Sequence, residues 1–449
     1  MRVSVVTAML ASVLLVGCST TEISPRQYEH SLNVSWDGQP FALVQKSNGR
    51  AVEFDQQLDD IVAKITRTNP QSILIFIHGG MNTIEGGLQR AKDATAAMQQ
   101  DDPTIYPIFV NWHSRFVTWY DRLLRIRQGR AKPVVAWFTW PFVLGADFGR
   151  SATRLPATML GETARSLSNL TGIGRNIELG PTPLPAGNVR LDNHYKPSFR
   201  AKVGSLVLQV IPGALRPVTM LLADTVLYDS YRMMLRRIDM LFRTEADYAE
   251  TSRSVQGAGS NGAVTKLTER LKNLPNNPSL TLVGHSLGCI AANEILRRNP
   301  LLKFDNIVFM AAGCSSKDFL DTIPGYLEKH KDSNFFALSL HPNADRNEKS
   351  GWGSLPNGSL LEWLDAYAIQ VHSPLEKTFG KWNNAMETLP FLDKVKPEVQ
   401  KRICLKGFAV RGKQFPAKHG DFDDFPFWRR SFWNPADQTV KPAFRTLDD

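Results

Sequence analysis

The stretch Ser279-Leu280-Thr281-Leu282-Val283-Gly284-His285-Ser286-Leu287-Gly288-Cys289-Ile290-Ala291-Ala292 reads as an apolar strand, a tight turn and the start of a helix. The turn carries the spacing G-x-S-x-G from Gly284 to Gly288. A serine at the tip of such a turn sits in a strained backbone, and glycines two residues before and after let the flanking chains pass closely. The turn also aims the backbone N–H of Leu287 at the serine oxygen, beside the positive end of the new helix. The helix pattern continues through Leu296, with Asn293, Glu294, Arg297 and Arg298 as its polar positions. It stops at Asn299-Pro300, where proline removes a donor.

Outward from this stretch, Ser72 to Ile77 is an isoleucine-rich apolar run, the pattern of a strand covered on both faces. His78-Gly79-Gly80-Met81-Asn82 follows at once. Glycines there allow a backbone N–H to turn inward, close to a bound molecule. With these two segments the chain resembles the α/β-hydrolase superfamily of esterases, lipases and acyl-transferring relatives, whose nucleophile elbow has the form seen at Gly284–Gly288. The resemblance covers residues 41–114 and 266–425. It implies an α/β fold with a mostly parallel central sheet flanked by helices, Ser286 as nucleophile, and an oxyanion hole built from Leu287 and Gly80, with Met81 as second choice. His78 would then brace the loop. Trp112-His113-Ser114 is similar to the Trp-x-Ser that follows the fourth strand of some bacterial members, and His113 is read as a packing residue.

The superfamily orders its triad as Ser, acid, His, each at the carboxyl end of a strand. Of the nine histidines, His30, His78, His113, His194, His285, His330 and His341 lie too early, in the elbow, or before a usable acid. His372 falls in a segment read as inserted. His419 follows the last expected strand, Arg402 to Val410, and is the implied base. Asp345, after the strand expected over Ser333 to Leu340, is the implied acid. Asp318 is the alternative, and Asp365, in a helical context, is third. In these roles His419 removes the Ser286 proton and the carboxylate fixes the imidazole tautomer. No cofactor and no metal are implied. Asp421, Asp423 and Asp424 alternate with phenylalanine and read as a solvated rim, with a cation site as the other reading.

The N-terminus has its own pattern. Met1-Arg2 precedes a mostly apolar run from Val3 to Val16, too short to span a bilayer, that ends Leu15-Val16-Gly17-Cys18. This resembles a bacterial lipoprotein signal, in which Cys18 becomes the lipid-carrying first residue of the mature chain. Ser19 at the next position implies outer-membrane sorting, facing the periplasm. The division expected is a signal over 1–17, a tether over 18–40, core over 41–114, a helical cap insertion over 115–265 and core over 266–449. The cap reads either as a lid for an apolar substrate or as a packed helical subdomain. Cys289, Cys314 and Cys404 are expected as buried free thiols, although a bridge between the first two is conceivable. The 449 residues carry 43% hydrophobic and 21% charged residues, ordinary for a globular protein; the net charge of +10 has no long basic tract and reads either as a basic face toward anionic lipid or another polyanionic surface, or as solvated surface. No nucleic-acid motif is present. The expected partners are an ester or acyl-lipid substrate and, through the anchor, a membrane; the alternatives are a catalytically silent binding lipoprotein on the same scaffold and an acyltransferase using the same triad.

Overall fold

The computed structural model describes residues 21–34, 43–45, 51–52, 54–114, 141–142, 145–156, 159, 189–191, 216–244, 261–348, 358–369, 371–408 and 416–433. Strands and helices alternate along the chain. The order is β1 (Thr21–Ile23), α1 (Pro25–His30), β2 (Ser31–Val34), β3 (Leu43–Gln45), β4 (Ala51–Val52), α2 (Phe54–Thr68), β5 (Ser72–Ile77), α3 (Ile84–Asp101) and β6 (Ile105–Trp112). Then come β7 (Val189–Leu191), α4 (Arg216–Met240), α5 (Ala263–Lys272), β8 (Ser279–His285), α6 (Gly288–Arg298), β9 (Asn306–Met310), α7 (Ser316–Lys329), β10 (Asn334–Ser339), α8 (Pro342–Asn347) and β11 (Ile403–Gly407). A short helical turn over His419–Asp424 follows β11.

Eight strands make one sheet in the order β2-β6-β5-β8-β9-β10-β11-β7. Every neighbouring pair in it is parallel. A parallel sheet needs cover on both faces, and its central strands are accordingly buried along almost their whole length. The covering helices show why their sequences fold as they do. α2 buries Phe54, Leu58, Ile61 and Ile65, one face at helical spacing, and leaves Asp55 and Asp59 in water. Burying such side chains contributes roughly 1.5–3 kcal/mol each. α3 begins at Thr83, whose hydroxyl accepts the Gly86 N–H.

The topology places a site. From β5 the chain moves to β6 on one side, whereas β8, on the other side of β5, leads away through β9, β10 and β11. In open parallel sheets a crevice forms outside the carboxyl ends where strand order reverses. Here that point lies between β5 and β8. The carboxyl end of β5 runs into His78-Gly79-Gly80, and that of β8 into Ser286.

Three expectations need correction. Residues 21–34, within the span expected as a tether, form β1, α1 and β2, and β2 enters the main sheet beside β6 with Ser31↔Phe109 and Val34↔Trp112 in register. All four residues of β2 are buried, so the polar composition of this region hid a strand. Within the span expected as core, β3 and β4 pair antiparallel, Leu43↔Val52 and Val44↔Ala51, but they belong to a separate three-stranded sheet with β1. Within 115–265, β7 is not helical cap at all, since it lies parallel to β11 at the edge of the main sheet. The other described parts of that segment are mainly residues 145–156 and α4. Arg154 pairs with Asp224 of α4 at 2.9 Å, and the Arg150 guanidinium lies 3.7 Å from the centre of the Tyr228 ring. Residues 1–20, including Cys18, lie outside the described residues. Among those described, no helix is long and apolar enough to cross a membrane.

Candidate functional site

The turn after β8 has the strain expected of it. Ser286 has φ 53°, in the left-handed region that a non-glycine residue adopts at a cost of about 1–3 kcal/mol. The surroundings hold it there. Ser286 N–H donates to Met310 O at 2.9 Å, and Ser286 O accepts from Gly313 N at 2.8 Å and Cys289 N at 3.1 Å. In a trans peptide the C=O and the next N–H point in opposite directions. Pinning Ser286 O on one side therefore turns Leu287 N–H to the other. Close approach is what the glycines allow. A Cβ on Gly284 would lie 2.9 Å from Cys289 Cα, and one on Gly288 would lie 2.1 Å from Ile77 O.

The loop after β5 is gripped in the same way. Gly79 O receives three contacts, from His78 Nδ1 at 2.7 Å and from Asn82 Nδ2 and Ser114 Oγ at 3.1 Å each. Its peptide plane is thereby fixed, and Gly80 N–H points away from all three. Met81, the second choice for the oxyanion donor, is excluded because its N–H is committed to Ser114 O at 2.8 Å. Gly80 and Leu287 N–H groups donate to no other backbone group among the described residues. A Cβ on Gly79 would fall 2.7 Å from Ser286 Cβ, and one on Gly80 would fall 2.7 Å from Leu287 Cδ1 and 2.9 Å from Met234 Sδ of α4. The two loops touch, and α4 covers them.

His78 braces the loop. Trp112 N–H donates to His78 Nε2 at 3.2 Å, Trp112 Nε1–H donates to His78 O at 2.9 Å, and the two rings stack. Burial pushes the His78 imidazole down to about 4. His113 packs, with its carbonyl accepting from Arg237 of α4 at 3.1 Å.

His419 meets Ser286. Its Nε2 lies 2.8 Å from Ser286 Oγ across 133 residues of sequence, and both side chains are buried. The turn that carries His419 is held by the elbow's own histidine, His285, whose Nε2 lies 2.9 Å from His419 O. Burial, together with the neighbouring His285, holds the His419 imidazole down to about 3. A neutral imidazole with its acceptor nitrogen on a serine hydroxyl is the resting arrangement of a general base.

The acid expected from sequence does not partner His419 among the described residues. His419 Nδ1 is buried and has no hydrogen-bond partner among the described residues. Asp345 is buried near Glu362, Lys381 and Ser359 instead, and burial pushes its carboxyl up to about 7. Asp318 caps α7, where its carboxylate accepts from Ser315 Oγ at 2.9 Å. Asp365 accepts from Thr378 N–H at 2.8 Å and Asn384 Nδ2 at 2.9 Å. The carboxylate that does reach this residue is Glu348, whose Oε2 accepts the backbone N–H of His419 at 2.8 Å. Burial also raises the Glu348 carboxyl to about 7. Glu348 follows α8 and so comes between Ser286 and His419 in the chain, three residues after Asp345. Its sequence signal was only that position.

The aspartates after His419 are not a solvated rim. Asp421 accepts from Lys418 N–H at 2.9 Å, whereas Asp423 and Asp424 are buried, and Asp423 pairs with Arg90. No group of His, Cys, Asp and Glu among the described residues is placed to hold a metal ion. Cys289 and Cys314 are buried free thiols, and Cys404 is half-buried and free. Comparison with protein-family models, curated proteins and solved structures finds no match for this chain.

Proposed function

We propose that this protein is a serine hydrolase of α/β-hydrolase fold that cleaves carboxylic esters through an acyl-enzyme. One observation carries the reading: a buried histidine and a strained, buried serine, far apart in sequence, lie 2.8 Å apart at the strand-order switch of a parallel sheet. Ser286 Oγ attacks the ester carbonyl as His419 Nε2 takes its proton. Gly80 and Leu287 N–H groups stabilise the oxyanion, each worth on the order of 3 kcal/mol in the transition state. His419 then returns the proton to the departing alcohol, and water repeats the sequence to release the acid. Glu348 is the acid of this reading, moving from the backbone N–H of His419 to its Nδ1. The part of 115–265 that includes α4 serves as the cap, with Met234 against the oxyanion glycine. Cys18 anchors the mature chain by lipid in a bacterial outer membrane, facing the periplasm.

The test is fluorophosphonate labelling of the purified protein beside Ser286→Ala and His419→Ala. Labelling should vanish in the first variant and fall strongly in the second. A folded wild type that remains unlabelled by a range of phosphonates would favour a binding lipoprotein, a rival supported by the unpartnered Nδ1 of His419. For the anchor, Cys18→Ser should release the protein from membranes and abolish fatty-acid labelling; unchanged fractionation would remove the anchor from this reading.

A further inference from the structure

We propose that Arg90 is a positioning residue that ties the oxyanion loop to the turn carrying the base, through Asn82 on one side and Asp423 on the other. The proposal rests on the serine-hydrolase reading and adds a device that reading does not require. Arg90 lies on α3, two turns beyond the glycine loop. Its Nη1 donates to Asn82 Oδ1 at 3.2 Å. The amide nitrogen of that same Asn82 donates to Gly79 O and Gly80 O, each at 3.1 Å. Because the Gly79 carbonyl and the Gly80 N–H share one peptide plane, a grip on the first aims the second. Arg90 therefore acts on the oxyanion donor through a single intervening side chain.

Its other arm reaches the turn that carries the base. Arg90 Nε is ion-paired with Asp423, whose side chain is 2% exposed. Asp423 belongs to the same six-residue turn as His419. A buried carboxylate of this kind is held by its cation far more firmly than a surface one, since leaving it unpaired in low dielectric is costly. The two loops that must agree in position for catalysis come from distant parts of the chain, and one guanidinium fork spans them. A planar fork with several donors suits the task; a lysine ammonium, a point charge, would not hold both partners in fixed directions.

The experiment compares wild type, Arg90→Gln, Asp423→Asn, the double variant and Asn82→Ala on a short aryl ester, with binding of a boronic-acid transition-state analogue as a second readout. Each single variant should lower kcat about tenfold with KM within twofold, and weaken the boronic acid by a similar factor, because the lost interaction acts on the transition state. The double variant should be no worse than the poorer single, since both remove the same link. Asn82→Ala leaves the Arg90–Asp423 pair in place, so it reads the oxyanion arm even if loss of the buried pair prevents folding. Wild-type labelling by fluorophosphonate with kcat unchanged in folded Arg90→Gln and Asn82→Ala would overturn the coupling alone. Losses that multiply in the double variant, or that fall on KM, would do the same. A folded wild type that neither labels nor turns over ester overturns both this inference and the reading beneath it.

Discussion

The nucleophile half and the acid half of this site differ in how completely they are tied down. Around Ser286 and Gly79-Gly80, each peptide that must be aimed is held by two or three hydrogen bonds, and three residues there, Ser286, Met81 and Ala311, are kept at positive φ by those contacts. Around His419, Nδ1 has no partner among the described residues, and the nearest carboxylate grips the backbone N–H instead. Precision here follows the kind of atom that supplies it. The first half is made of backbone at strand ends, where the ladder of the parallel sheet sets position and direction together. On the proposed reading the second half rests on one side chain after a short helix, Glu348, which holds the backbone N–H of His419.

The acid half should show the steepest loss. Glu348→Gln should lower kcat by about 10³–10⁴-fold with little change in KM, the loss expected when the histidine's carboxylate is neutralised. Asp345→Asn should leave kcat within a few-fold. Steady-state kinetics on both variants decide the matter, and the opposite ranking would return the acid to Asp345. The pH profile follows from the same burial. A carboxyl raised to about 7 is ionised above that value, so wild-type kcat should fall as pH drops through about 7. In Glu348→Gln that limb should flatten.

The nucleophile half should fail to a single methyl group. A Cβ on Gly288 would stand 2.1 Å from Ile77 O, a backbone atom in the centre of the sheet that cannot retreat. Gly288→Ala should therefore cost about 3 kcal/mol or more, or abolish folding. Gly420, beside the base, has open space within 4 Å of where an added methyl group would sit. Gly420→Ala should be within about 0.5 kcal/mol of wild type. Denaturant unfolding measures both, and similar losses at the two glycines would erase the contrast in closure.

Acid titration should separate the halves again. His78, His285 and His419 are all held below their ordinary range by burial. A depressed histidine contributes stability that is fully present above 6.5 and is lost as pH falls through the window between 6.5 and the folded value. For His78, at about 4, this amounts to on the order of 3 kcal/mol. Asp345 and Glu348 work in the other direction: raised to about 7, they favour the fold below the ordinary carboxylate range and withdraw that contribution as pH rises through about 7. The two windows overlap between about 4 and 7, where the contributions oppose each other and flatten the dependence of melting temperature on pH. His78→Gln should remove that histidine's part of the slope between about 4 and 6.5 and leave the slope above about 7 unchanged, read as melting temperature against pH.

How much of this was legible in the sequence follows the same division. Ser279–His285, Ser72–Ile77 and the strands after them announce themselves because a strand buried on both faces is a run of Ile, Val, Leu and Phe. The elbow was legible because only glycine fits where Gly284 and Gly288 meet the backbone of their neighbours, and His419 because it follows the last strand. The acid was not legible: Asp345, Glu348, Glu362 and Asp365 are chemically similar, and which one faces His419 depends on packing that has no periodic signature. Arg90 was invisible for a related reason, since one arginine on a helix face carries no mark of what it spans. β2 was missed because Ser31-Leu32-Asn33-Val34 alternates polar and apolar, yet its polar side chains are buried as well, with Ser31 Oγ donating to Asn33 Oδ1 at 3.2 Å.

A much smaller change is expected at the residue that sequence order made the alternative acid. Asp318 is the third residue of α7 and closes a capping box: its carboxylate accepts from Ser315 N–H at 3.3 Å and from Ser315 Oγ at 2.9 Å, while Ser315 Oγ accepts the Asp318 N–H at 3.0 Å. An acidic side chain also complements the positive end of the helix. Asp318→Ala removes one arm of the box and should cost about 1 kcal/mol of stability. Its carboxylate is solvated enough for Arg297, at 3.6 Å, to add little. The rate of ester cleavage should not change, because among the described residues the cap's contacts run within the cap and to Arg297, not to His419 or the Gly79-Gly80 loop. Thermal unfolding and kcat measured on the same preparation test this together. A drop in kcat without a drop in melting temperature would mean that Asp318 leaves the cap to serve the base, and the acid half would then have a second claimant.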